Sequence, residues 1–238
     1  MINIACALWD ANPLSKQFSR HYTEADVCAL YRGWEKHLTV PFRFICWSEK
    51  DRDYAEPAIE QRRLRDERPC YGSLTQCYEL NEPTIVMGLD TIIVGNCDHL
   101  AAYCMDASNK PAVPMDPFIP DIVCNGVTLV PPGNDWLWTE YPGQNDMDWV
   151  RDNWKAGRIV AFDKMFPGQI VSYKRHVEKQ GLGEDVRICF FHGERKPHEL
   201  SHVGWIARHW DFRPEDARRS RDLEAEKAFA VHTDYVSQ

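Results

Sequence analysis

The sequence of 238 residues predicts a single α/β domain, and three observations support this fold class. The chain is long enough for one substantial hydrophobic core. A mostly apolar run at residues 84–95 is rich in Val and Ile, which is typical of strands buried on both faces in the middle of a sheet. Between two other apolar stretches, a helix-start signature is followed by apolar residues at helical spacing.

The first 50 residues predict a strand, a helix and a second strand. Residues 2–9 form a short apolar stretch that ends in a polar turn with a proline. Thr23 has an acid three residues later, at Asp26, which is typical of the start of a helix. Apolar residues follow at helical spacing until Pro41, and residues 42–47 are apolar again and predict the second strand.

The middle of the chain predicts a charged surface region, a helix and two buried strands. Residues 51–69 mix acidic and basic side chains, and we expect a loop and a short helix there. Residues 71–80 predict a helix that packs before the central strand at residues 84–95. The next strand is expected at residues 122–130, after a loop with four prolines at residues 109–121 that could border an active site.

A cluster of tryptophans follows that strand and allows two interpretations. The rings could form a platform on which sugar or base rings stack, or they could close a core under a loop. The cluster contains Trp136, Trp138, Trp149 and Trp154.

Charge and cysteine content narrow the class of protein. The net charge of −8 gives no general basic surface for nucleic acid, and the basic stretches at residues 61–65 and 218–221 are interpreted as solvated faces. The nine cysteines form no C-x-x-C pair, so we interpret them as buried apolar residues in a reducing compartment. We see no secretory signal and no apolar run that could span a bilayer, and predict a cytoplasmic protein.

Asp90 is the one carboxylate within the apolar run at residues 84–95. It falls at a break in the run, where open α/β sheets present ligand groups at the ends of their strands. Three roles are open for it: a metal or sugar ligand, a cap on the following turn, or a buried carboxylate satisfied by backbone amides.

A second apolar strand, at residues 186–191, ends in a polar loop that contains His192 and Lys196. If two such strands end at a shared sheet edge, Asp90 and His192 can meet there. Mixed oxygen and nitrogen ligands suit Mn²⁺ or Mg²⁺ when phosphate oxygens complete the shell. The alternative is a core histidine and a solvated lysine.

These two stretches resemble the signature motifs of nucleotide-sugar glycosyltransferases of the GT-A fold, close to the glycogenin-like group and its bacterial and phage relatives. Asp90 matches the second acid of their Asp-x-Asp motif, and the late motif is matched by His192, Gly193, Lys196 and Pro197. Gly88 stands in the place of the first acid. The resemblance implies a GT-A-like domain over residues 1–212, with a Rossmann-like, mixed but mostly parallel sheet flanked by helices. Residues 213–238 are highly charged with helical spacing and predict a charged helical tail.

The implied activity is transfer of a hexosyl or pentosyl group from a nucleoside diphosphate sugar, with a UDP-sugar as the expected donor, Mn²⁺ or Mg²⁺ as the cofactor, and retention of configuration. The roles that the resemblance implies are Asp90 and His192 for the metal; Lys196 and Gly193 for the diphosphate; Trp9, Asp10 and Ser48 for the nucleotide; Asn125 and Gly126 for the donor sugar; and Gln144 or Asp146 for the reacting carbon. Trp9 and Asp10 could equally be a core tryptophan and a turn aspartate, and the Asn-Gly pair could mark a bulge.

Two questions stay open at the level of sequence. The acceptor could be a glycan or a modified base of phage DNA, and the acidic charge balance argues mildly against DNA. Because Gly88 replaces an acid, the chain could also be a nucleotide- or glycan-binding protein that no longer reacts. We expect a weaker but working metal site, so that UDP-sugar turnover needs Mn²⁺ and disappears in Asp90→Ala.

Overall fold

The computed structural model describes residues 1–15, 19–193 and 195–217, and within them two sheets position the site. The larger sheet has seven strands in the order β3-β2-β1-β4-β7-β6-β8, and the smaller has three in the order β5-β10-β9. The strands are β1 (Ile2–Leu8), β2 (Phe42–Ser48), β3 (Ile59–Arg63), β4 (Thr84–Met87), β5 (Thr91–Ile93), β6 (Ala112–Val113), β7 (Val127–Val130), β8 (Val160–Ala161), β9 (Ile170–Ser172) and β10 (Ile188–Phe190).

Helices connect the strands and cover the sheets. The α-helices are α1 (Glu24–His37), α2 (Asp98–Met105), α3 (Trp136–Thr139), α4 (Asp146–Lys155), α5 (Glu178–Gln180) and α6 (Gly204–His209). A long 3₁₀ segment lies at Tyr71–Leu80, shorter ones lie at Phe162–Lys164, Pro197–Leu200 and Pro214–Ala217, and a π-helical turn lies at Tyr173–Val177.

The larger sheet is mixed and mostly parallel, as predicted. Strand β1 pairs in parallel with β2 and β4, and β2 pairs in parallel with β3, whereas β7 runs antiparallel to β4 and β6. Every residue of β1 is buried, and its side chains alternate between two core clusters, with Ile4 and Cys6 in one and Ala5 and Ala7 in the other. Both faces of the sheet are therefore covered, which explains the nearly continuous apolar sequence of its central strands.

Helix α1 begins where the sequence predicts it. Thr23 and Asp26 form a capping box, with the Thr23 amide donating to the Asp26 carboxylate at 2.8 Å. The apolar face of the helix, including Leu30 and Trp34, is buried against the core. The amphipathic spacing thus specifies both the element and the face that it packs.

The prediction of a loop and short helix over residues 51–69 is wrong, because β3 lies within this range at the edge of the larger sheet. Ile59 is buried against β2, and its register partner is Phe44. The other side chains of the strand are polar, and Glu60 is ion-paired with Arg43 at 2.7 Å. Charged residues are common on edge strands, so the sequence of this strand looks like that of a surface loop.

The tryptophan cluster closes a core. Trp136, Trp138 and Trp154 pack partly buried against the second core cluster, and the guanidinium of Arg158 lies 3.6 Å from the Trp136 ring centroid. Trp149 makes an edge contact with Trp136 at 6.3 Å between centroids. The rings are thus occupied by protein contacts.

All nine cysteines are unpaired, and all but Cys70 are buried. This agrees with the interpretation of them as small apolar residues. Among the described residues, no helix combines the length and apolar character that crossing a bilayer requires. The predicted helical tail over residues 213–238 falls mostly outside the described residues, which end in the 3₁₀ turn at Pro214–Ala217.

Candidate active site

Strand pairing brings Asp90 and His192 to one place. Strand β5 begins directly after Asp90 and pairs antiparallel with β10, with Thr91 opposite Phe190. The Phe191 amide then donates to the Asp90 carbonyl oxygen at 2.9 Å, which places the next residue, His192, beside Asp90. Both residues line a cleft of about 270 Å³. The shared sheet edge that the sequence suggests is therefore present.

The side chain of Asp90 is held by two donors. Its Oδ2 atom accepts from the Lys196 ammonium at 2.7 Å and from the Tyr22 hydroxyl at 2.8 Å. Lys196 is only 1% exposed, so its charge is almost removed from water and is paired with this carboxylate. Burial raises the pKa of Tyr22, and the neighbouring Asp90 charge raises it further, so the hydroxyl keeps its proton.

His192 is held from the other side of the cleft. Its Nε2 atom lies 2.8 Å from the Ser172 hydroxyl at the end of β9, and its ring packs edge-on against Phe118 at 4.9 Å between centroids. Burial lowers the pKa of His192, although the carboxylates of Asp90 and Asp116 oppose this shift. The imidazole is therefore neutral at neutral pH and engaged with Ser172.

Protein partners already hold the two residues to which the resemblance assigns a divalent metal. Among residues 1–15, 19–193 and 195–217, no group of three or more His, Cys, Asp or Glu side chains could hold a metal ion. Asp90 already holds the Lys196 ammonium, and a Cβ atom at Gly88 would lie only 2.8 Å from Asp90 Oδ1. The expectation of Mn²⁺ or Mg²⁺ bound by Asp90 and His192 thus has no support from this geometry.

Asp146 also lines the cleft, at the start of α4. The Asn125 amide donates to its Oδ2 atom at 2.5 Å. Burial raises the pKa of Asp146, with the Asn125 hydrogen bond acting in the opposite direction. Of the two candidates for the reacting carbon, Asp146 is the one in the cleft, because Gln144 lies outside it and donates to the exposed Asp152 at 3.3 Å.

Asn125 and Gly126 line a second cavity, of about 480 Å³, that adjoins the first. The two cavities share Asp90, His192 and Gly193. A Cβ atom at Gly126 would lie 3.1 Å from the Phe190 ring, so the glycine permits close packing of the chain against β10. The Asn-Gly pair thus combines a packing role with a place beside the cleft.

The three residues predicted to contact the nucleotide lie in different surroundings. Trp9 lines the cleft and donates from Nε1 to Ser15 at 2.8 Å. Ser48 is 1% exposed and accepts from Arg52 at 2.6 Å, outside the cleft. Asp10 pairs with Arg52 at 2.9 Å and with Lys50 at 2.7 Å, and although burial alone would raise its pKa, these two cations lower it. The structure brings only Trp9 to the cleft.

Several residues of the site are absent from the sequence prediction. Tyr22 lies just before the cap of α1, and nothing in the local sequence connects it with Asp90. Tyr71 and Leu74 line the cleft from the 3₁₀ segment, on a stretch predicted only as a packing helix. Ser172 could have been predicted as a site residue, because it is a polar residue at the end of an apolar strand, as Asp90 and His192 are.

The architecture is similar to that of several solved structures. A crystal structure of the galactosyltransferase LgtC with donor and acceptor sugar analogs aligns at a TM-score of 0.58, with 13% identity, over 92% of this chain and 100% of that one. The chain has the fold of solved glycosyltransferases. An active-site mutant of LgtC aligns at 0.56 with 12% identity over 91% of this chain and 99% of that one.

A second transferase gives the same result. GlyE of Streptococcus pneumoniae TIGR4 aligns at a TM-score of 0.53, with 10% identity, over 82% of this chain and 55% of GlyE. The chain thus corresponds to about half of GlyE. No family model and no curated protein sequence matches the chain. The predicted fold class is confirmed, and at these identities the likeness concerns the fold.

Proposed function

We propose that this chain is a glycosyltransferase that moves a sugar from a nucleoside diphosphate sugar to an acceptor hydroxyl group. The observation that carries the proposal is the convergence of Asp90, Asp146, His192 and Lys196 on one cleft. This cleft lies at the strand ends of a fold shared with solved sugar transferases. In open α/β sheets this is the usual position for a ligand.

The lining of the cleft suits a nucleotide diphosphate. Trp9 and Tyr71 provide aromatic surface for a base, with UDP as the expected nucleotide. The Lys196 ammonium provides a buried positive charge for the diphosphate, next to the loop at Gly193, whose φ of 82° is in the region that favours glycine. An apolar wall with a few polar groups is typical of small-molecule sites.

The proposed reaction exchanges one bond at the anomeric carbon for another. The bond from this carbon to the β-phosphate oxygen breaks, and its electron pair stays with the diphosphate. A bond to the acceptor oxygen forms, and the hydroxyl proton passes to the departing diphosphate. Lys196 stabilises the negative charge that develops on the leaving group, and the carboxylate of Asp146 stabilises positive charge at the sugar carbon. Retention of configuration stays a prediction.

The adjoining cavity is the proposed place for the acceptor. It holds about 480 Å³ and shares Asp90, His192 and Gly193 with the donor cleft, so two sugars could meet there. The net charge of −8 favours a glycan over a base in DNA, whose phosphates would be repelled. Membership of the glycogenin-like group or of its phage relatives, and a cytoplasmic location, remain predictions.

The rival is a protein that binds a nucleotide or glycan without reacting, which Gly88 in the place of an acid favours. Hydrolysis of a panel of nucleotide sugars separates the two, because a transferase normally passes some sugar to water. We expect slow release of sugar from at least one UDP-sugar, loss of this release in Asp146→Asn, and unchanged release in the surface variant Lys155→Met. UDP binding without any release would support the rival.

A further inference from the structure

We infer that the Lys196 ammonium takes the place of a divalent cation in this site, so that the chain transfers sugar without a metal. The inference rests on the proposed function, since the cleft must first bind a nucleoside diphosphate sugar. It departs from the Mn²⁺ dependence that the sequence resemblance implies.

The first observation is that Asp90 is already neutralised from within the protein. Lys196 Nζ lies 2.7 Å from Asp90 Oδ2, and the Tyr22 hydroxyl donates to the same oxygen at 2.8 Å. A metal ion that bound this carboxylate would have to displace an ammonium that is 1% exposed, or lie beside it. The first separates a buried ammonium from its carboxylate, and the second puts two positive charges together.

The second observation concerns the position of the missing acid. A Cβ atom at Gly88 would lie 2.8 Å from Asp90 Oδ1, closer than side-chain carbons approach oxygen. The present orientation of Asp90 therefore requires a residue without a side chain at position 88. The glycine and the ion pair belong to one arrangement, in which position 88 offers no carboxylate and the ammonium of Lys196 lies against Asp90.

The third observation is that the other potential ligands of the cleft have protein partners. His192 Nε2 is 2.8 Å from the Ser172 hydroxyl, and Asp146 Oδ2 accepts from Asn125 at 2.5 Å. With Asp90 bound to Lys196, the acids and the imidazole described in this cleft are each engaged. An ammonium has three N–H donors and can contact more than one acceptor, and Lys196 lines the cleft while it holds Asp90.

The first test removes the metal. Purified full-length protein is treated with a chelator, and sugar release from the UDP-sugar panel is measured with chelator present and after Mn²⁺ or Mg²⁺ is added back. We expect the same rate in all three conditions. In parallel, the electron paramagnetic resonance signal of Mn²⁺ without nucleotide should be unchanged by the protein. Turnover that appears only with Mn²⁺ would overturn the inference and leave the proposed function standing.

The second test removes the charge. Lys196→Met should lower kcat/KM by about 10²–10³-fold, the usual loss when one donor to a developing anion is removed. Lys196→Arg, which keeps a positive charge, should retain more activity than Lys196→Met, and Lys155→Met is the control on the surface. If Lys196→Met does not fold, the activity of Lys196→Arg is compared with that of the wild type under chelator, and Lys196→Arg should again retain activity. Equal activity of Lys196→Met and wild type under chelator contradicts the inference. Absence of any turnover by the wild type overturns the proposed function as well.

Discussion

Loss of the ion pair between Asp90 and Lys196 should strongly destabilise the fold. Replacing Lys196 by Met keeps most of the side-chain volume and leaves the Asp90 carboxylate with the Tyr22 hydroxyl at 2.8 Å. Breaking a buried pair on one side typically costs about 3–5 kcal/mol. Because the Asp90 side chain is 18% exposed and water can solvate it in part, we expect the lower half of that range, about 3–4 kcal/mol.

A double-mutant cycle measures the interaction itself. Asp90→Asn, Lys196→Met and the double variant are unfolded in urea and followed by tryptophan fluorescence, and the free energies of unfolding give the coupling energy. We expect about 1–3 kcal/mol, the upper part of the range for residues in direct contact. Asp152 and Lys155 provide the control, since their charged atoms are 4.0 Å apart and both side chains are 63% exposed. That pair should couple by less than about 0.5 kcal/mol. Equal coupling in the two cycles would refute the buried ion pair.

Three further predictions follow from other contacts. Asp146→Asn should lower kcat for sugar release by about 10²–10³-fold with little change in UDP affinity, measured by calorimetry, because it removes charge but keeps shape. Gly88→Ala should lower the free energy of unfolding by about 1–3 kcal/mol, because its Cβ would lie 2.8 Å from Asp90 Oδ1 and the carboxylate can move away only by disturbing its bonds to Lys196 and Tyr22. The hydrogen bond to Asp26 raises the pKa of His198. Its stabilisation should thus be complete below about pH 6.5 and fade as the pH rises through the higher native value, and urea titrations of His198→Gln should lack this fading.

Much of the fold follows from the sequence because the central strands are apolar on both faces. The β-branched run at residues 84–95 predicts buried strands, and Thr23 with Asp26 marks the start of α1. Strand β3 escapes prediction for the opposite reason. It pairs with β2 on one side only, so a single buried side chain, Ile59, is enough to place it while the rest stays polar.

The candidate site, like the fold, is only partly predictable from the sequence. The rule that polar groups gather at strand ends brings Asp90, His192 and Lys196 together from positions about a hundred residues apart in sequence. Which partners these side chains bind depends on the antiparallel register of β5 and β10, which sequence periodicity does not specify. The pairing of Asp90 with Lys196, in place of a metal, therefore appears only in three dimensions. Tyr22 is hidden for the same reason.

A crystal structure of the protein soaked with UDP and Mn²⁺ tests the central claim most directly. The account predicts a diphosphate in the cleft, within hydrogen-bond distance of Lys196 Nζ, with Lys196 still paired with Asp90 and no anomalous manganese peak at that carboxylate. A nucleotide bound elsewhere, or a cleft that stays empty at saturating UDP, would contradict the assignment of this cleft as the donor site.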